Sequence, residues 1–84
     1  MNDLLVLDKE LWDNLGSMLL SPDEENRNLA FGMLENIDYT NKEQMKIFED
    51  QMMLSMASIY MSGNEKGKMM HHYFTLLEKQ NDNN

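Results

Sequence analysis

The sequence predicts an all-α protein of four helices, folded as two antiparallel helical hairpins packed around the third helix. Three observations carry that prediction. Apolar residues recur at spacings of three and four in successive stretches, and nothing alternates with period two over a useful length. Small polar residues stand where helices would begin, at Asp8, Ser21 and Thr40. Finally, the segment from Thr40 to Ser62, TNKEQMKIFEDQMMLSMASIYMS, contains neither Gly nor Pro and is rich in methionine. On a helix its Met45, Phe48, Met52, Met56 and Ile59 form one stripe, widened by Met53, Ala57, Tyr60 and Met61. A helix apolar nearly all round belongs at the centre of its own domain or under a partner.

Met1 to Leu7 reads as a short extended or irregular lead-in whose Leu4, Leu5 and Leu7 can tuck against the core. Asp8 caps the first helix, which buries Leu11, Leu15, Met18 and Leu19 and carries Trp12 on its edge. Gly16 inside that helix costs about 1 kcal/mol relative to alanine, which a closely passing backbone or large side chain would justify. Ser21-Pro22-Asp23-Glu24 reads as a capping box, with Pro22 at the first helical position and Asp23, Glu24 and Glu25 at the positive end of the helix dipole. The second helix is expected to run to about Asn36 and to bury Leu29, Phe31 in part, Met33, Leu34 and Ile37. Thr40 and Glu43 form a second S/T-x-x-E pattern at the start of helix three, and Gly63 is placed as its left-handed C′ residue. A fourth helix from about Glu65 to Lys79 shows Met69, Met70, Tyr73, Phe74 and Leu77 on one face. Residues 1–80 form a single domain and 81–84 a frayed polar tail.

Composition narrows the function classes. Eighty-four residues allow one small core, and with no cysteine neither a disulfide nor a thiolate zinc site can reinforce it. No signal-peptide pattern or membrane-length apolar run is visible, so the expectation is a soluble, cytoplasmic protein. The net charge of −8 arises wholly in residues 1–50, where twelve acids face four bases. Such a field repels nucleic acid and anionic membrane and attracts basic protein surfaces. One arginine in the whole chain is a poor phosphate clamp, so direct nucleic-acid binding is not expected. Ten methionines suit either an adaptable core or an adaptable binding face.

No pattern points to catalysis. His71 and His72 are adjacent, so a helix turns them about 100° apart and away from a shared metal. Neither the i, i+4 histidine pair of a zincin nor the Glu-x-x-His of a di-iron bundle is present. Glu24-Glu25 and Glu49-Asp50 lack the apolar flanks that would raise a carboxylate pKa, and no serine sits in a nucleophile elbow. The expectation is a non-enzyme without cofactor or metal.

Leu19 to Asp38, LLSPDEENRNLAFGMLENID, resembles the second half of a HEAT- or armadillo-type helical repeat. The likeness is carried by Ser21, Asp23, Glu25 and Asn26 in the cap and by Leu29, Ala30 and Leu34 on the packing helix. This resemblance covers about a quarter of the chain and implies paired helices serving as a protein-binding platform. The short, acidic, methionine-rich chain is also similar in style to small accessory proteins of large bacteriophages.

The function expected from the sequence is that of a small acidic protein-binding module, an inhibitor or adaptor of a host or phage protein. Aromatic residues off the apolar rows, Trp12, Phe31 and Tyr39, suggest binding hot spots. The expected partner-binding set is Trp12, Asp13, Glu24, Glu25, Arg27, Phe31 and Glu35, an acidic face with an aromatic rim. Two alternatives are a DNA mimic that occupies a nucleic-acid-binding protein, and a structural homo-oligomer, such as a dimer through the Met-rich helix 41–62.

Overall fold

The computed structural model describes residues 3–82, and within them the chain forms α1 (Lys9–Leu19), α2 (Glu24–Leu34), α3 (Lys42–Met56) and α4 (Gly63–Asp82). The fold is all-α, as the apolar spacing predicts. Helix α1 packs on α2 and α3 on α4, while α3 also meets α1. The two hairpins are pinned together a second time where Arg27 of α2 reaches Glu65 of α4. Trp12, Leu15, Leu19, Leu34, Phe48 and Met69 fill the centre, with Leu7, Ile37, Tyr39 and Met61 entering from the connections.

Each helix begins where a side chain can satisfy its free N–H groups, and at α2 and α3 that residue differs from the expected one. Asp8 caps α1 as expected, its Oδ1 accepting from the Leu11 N–H at 2.9 Å. At α2 the cap is Asp23 rather than Ser21: its carboxylate accepts from the Glu25 N–H at 3.0 Å. A charged acceptor is the stronger partner at the positive end of a helix. Ser21 instead accepts from the Asp23 N–H, and Pro22 lies outside the helix. At α3 the cap is Asn41, accepting from Glu43 and Gln44, because the Thr40 hydroxyl is already committed to Asp38 at 2.6 Å. The reciprocal capping box occurs at the start of α4, where the Ser62 N–H donates to Glu65 and the Glu65 N–H donates to Ser62 Oγ. Gly63 is therefore the first residue of α4, with no positive φ, and not a left-handed stop for α3. Helix α4 also continues past Lys79 to Asp82; the end of the expected tail, Asn83 and Asn84, lies outside the described residues.

Two helices are rolled relative to the expected stripes. In α1 the buried row is Trp12, Leu15, Gly16 and Leu19, while Leu11 is 44% exposed. The roll follows from the indole N–H, which finds an acceptor inside the protein in Gln44. In α2 the buried row is Arg27, Ala30, Phe31 and Leu34, and Leu29 faces solvent. The roll carries the arginine inward to its partner Glu65.

Helix α3 ends earlier than its apolar content suggests. After Met56 the N–H of Ala57 turns back to Leu54 and that of Ser58 to Ser55, which tightens the last turn. The Ser58 hydroxyl then accepts from the N–H groups of Tyr60 and Met61 and draws the chain out of the helix. The expected stripe therefore stops at Met56, and Ile59 falls in a loop.

From Asp3 onward the lead-in is extended and forms a parallel bridge between Leu5 and Ile37. The Leu5 N–H donates to Asn36 O at 2.7 Å, and Leu5 O accepts from the Asp38 N–H at 2.8 Å. Only Leu7 of the three leucines enters the core; Leu4 and Leu5 remain exposed.

Candidate protein-binding surface

The seven residues of the expected binding face separate into two kinds. Trp12, Arg27 and Phe31 are buried, so the aromatic rim is not available to a partner. Trp12 is 2% exposed and held by Gln44. Arg27 makes a two-pronged ion pair with Glu65, Nε to Oε2 at 2.8 Å and Nη2 to Oε1 at 3.2 Å, and Nη1 donates to Ser21 O at 2.9 Å. That geometry holds the Glu65 carboxyl down at a pKa of about 2 and raises the guanidinium further. Phe31 carries the Lys68 ammonium over its ring at 4.9 Å. The acids Asp13, Glu24, Glu25 and Glu35 are exposed. Asp13 and Glu35 do not share a cleft: Asp13 borders one with Leu7, Glu43 and Gln51, whereas Glu35 borders a different one with Lys68, His71 and Thr75.

The two histidines part as adjacent helical residues must. His71 is exposed, while His72 is half-buried with its ring edge-on to Tyr39 and Phe48, centroids 5.5 and 5.3 Å away. Burial pushes the His72 pKa below the ordinary imidazole value, against the opposing pull of the Glu35 carboxylate and the Leu34 carbonyl. Both histidines line a cleft of about 300 Å³ between α2 and α4, floored by Phe31, Leu34 and Met69. Among the described residues no group of three His, Asp or Glu side chains is placed to hold a metal ion. No described helix is long and apolar enough to cross a membrane.

What the structure does leave in solvent is a run of large apolar residues around the α3–α4 connection, the tip of that hairpin. Met53 is 68% exposed, Leu54 54%, Ile59 87% and Tyr60 49%. They occupy the last turn of α3 and the loop behind it, and from Gln51 to Asn64 no residue carries a charge. Buried Met61 anchors the loop on one side, the Ser58 turn shapes it, and the Ser62–Glu65 box leads it into α4. Glu65 is in turn clamped by Arg27, so the tip is presented from a fixed base. The apolar spacing predicts Ile59 and Tyr60 inward only for a helix that continues past Met56, where α3 ends. The usable signals were the serine at position 58 and the absence of any charge across 51–64.

No protein family, curated protein or solved structure matches this chain. The HEAT-type and phage-protein resemblances draw no support from these comparisons.

Proposed function

We propose that this protein acts by binding another protein through the tip of its α3–α4 hairpin, with Met53, Leu54, Ile59 and Tyr60 as the contact residues. One observation carries the reading: four large apolar residues stand in solvent within an uncharged segment of a chain that is 26% charged overall. Leaving them exposed gains the isolated protein nothing. Their burial would contribute about 25 cal/mol for each Å² of apolar surface covered. Tyr60 adds a hydroxyl that can hydrogen-bond at the rim of such a contact. The complementary surface is an uncharged apolar recess. The acids of residues 1–50 act at longer range, steering the protein toward basic partners and away from nucleic acid.

The test is site-specific photo-crosslinking in the native cells, with a crosslinking residue replacing Ile59 in one variant and Glu24 in another. The expected result is one discrete product from position 59, lost when excess wild-type protein competes and kept when excess Ile59→Asp protein is used. Equal products from both positions would contradict the proposal. So would a product made only of two copies of this chain.

A further inference from the structure

A second feature stands apart from the hairpin tip and does not depend on it. Between Asp3 and Leu7 the extended segment is hydrogen-bonded to the rest of the protein through Leu5 and Leu7. Leu5 pairs through both its backbone groups with the strand-like stretch at Asn36–Asp38. Leu7 points the same way, and there the side chain of Gln44 stands in for a strand: its Oε1 accepts from the Leu7 N–H at 3.0 Å and its Nε2 donates to Leu7 O at 3.0 Å. Successive residues of an extended chain direct their N–H and C=O groups to opposite sides. The backbone groups of Leu4 and Val6 therefore face away from the protein, and among the described residues neither has a hydrogen-bond partner. Both side chains are more than half exposed or at that limit, at 57% for Val6 and 50% for Leu4.

We infer that this open edge accepts an extended segment of another protein by strand addition, with Leu4 and Val6 supplying the ladder. Unpaired backbone donors and acceptors at alternate residues are complemented by another extended backbone more fully than by any side chain. Charge selects which backbone. Exposed acids, Asp3 and Asp8, bound the segment at either end, so the fitting occupant carries β-branched residues centrally and a lysine or arginine at each end. A second copy of this chain is a poor occupant. It would bring two bodies of charge −8 each into edge-to-edge contact, and a ladder between Leu4 and the other copy's Val6 offers no opposite charge to relieve that.

The edge is tested with a synthetic peptide of about seven residues, alternating valine and threonine with a lysine at each end. Amide hydrogen exchange of the full chain is followed by NMR. At saturating peptide, exchange at Leu4 and Val6 is expected to slow by about tenfold or more, with no comparable change at Ile59 or Tyr60. A peptide with glutamate ends should protect neither amide. Val6→Pro removes the outward N–H and should abolish peptide binding, whereas Val6→Thr should retain it. Unchanged exchange in the wild-type protein overturns the inference whether or not the proline variant folds. It is equally overturned if the acidic peptide protects as well as the basic one, or if protection grows with protein concentration alone, which would mean self-pairing.

Discussion

Gln44 and Trp12 meet across a 3.0 Å hydrogen bond, the side-chain Oε1 of one accepting from the indole Nε1–H of the other, in a part of the core where both are buried. The same amide also binds both backbone groups of Leu7, so one side chain of α3 fastens α1 and the extended lead-in to the second hairpin. Replacing it by leucine fills the space but leaves the indole N–H, the Leu7 N–H and the Leu7 carbonyl without partners. Each such loss costs about 1–3 kcal/mol, so Gln44→Leu should lose roughly 3 kcal/mol or more. For a domain this small that lowers the melting temperature by about 12 °C or more, read by circular dichroism. Gln44→Glu should not rescue it, since a carboxylate cannot donate to Leu7 O and brings a buried charge.

Gly16 sits where the end of the Gln51 side chain crosses α1. A Cβ placed there would lie 2.6 Å from Gln51 Oε1. What blocks the site is a flexible amide and not backbone, so Gln51 can swing aside. Alanine also gains about 1 kcal/mol of helix propensity over glycine. Gly16→Ala is therefore expected to leave stability within about 1 kcal/mol of wild type, whereas Gly16→Leu should lose about 1–3 kcal/mol by overpacking. Urea unfolding of the two variants decides this.

Acid should weaken the fold in two separate windows. His72 has its pKa lowered by burial, so below the ordinary value of 6.5 the unfolded chain takes up a proton that the folded chain resists. Its contribution is complete above pH 6.5 and is lost as the pH falls from there toward the folded value. The charged and titratable neighbours of the ring, Glu35, His71, Lys79 and Tyr39, remain in place in the variant His72→Phe. That variant should flatten the stability profile in this window.

Glu65 acts lower on the scale. Its pKa falls from 4.5 to about 2 on folding because Arg27 and the Ser62 cap hold the carboxylate. The unfolded chain again binds the proton first, so this contribution is present above pH 4.5 and disappears toward pH 2. Glu65→Gln should remove that part of the slope and lower stability at pH 7, both visible in urea titrations across pH.

The course of the helices was legible because apolar spacing is a local property: α1, α2 and α4 are recognisable from Leu15 and Leu19, from Ala30 and Leu34, and from Met69 and Tyr73. Their rotation was not, because it is set by polar groups that find partners far along the chain. Gln44 and Trp12 are 32 residues apart, and Arg27 and Glu65 are 38 apart. Neither pair leaves a mark in a helical repeat. Three residues of the expected binding set are interior for the same reason: Trp12, Arg27 and Phe31 do not fit an apolar stripe because they serve the core through specific bonds and a cation–ring contact. The hairpin tip was hidden by the opposite effect, in which apolar Ile59 and Tyr60 continue the rhythm of α3 while the Ser58 hydroxyl has already ended the helix.

Substitution at the tip should change binding without changing the fold. Ile59 is 87% exposed and contributes little to the core, so Ile59→Asp is expected to unfold within about 0.5 kcal/mol of wild type.

The most direct measurement is the dissociation constant of the partner captured at position 59, determined for wild type and Ile59→Asp at about 50 mM and about 500 mM salt. Contact through an uncharged apolar tip predicts that Ile59→Asp weakens binding by about tenfold or more, while raising the salt changes the wild-type value by only a few-fold. A partner that leaves at high salt, and binds Ile59→Asp as tightly as wild type, would show that the acidic first half makes the contact and would contradict this account.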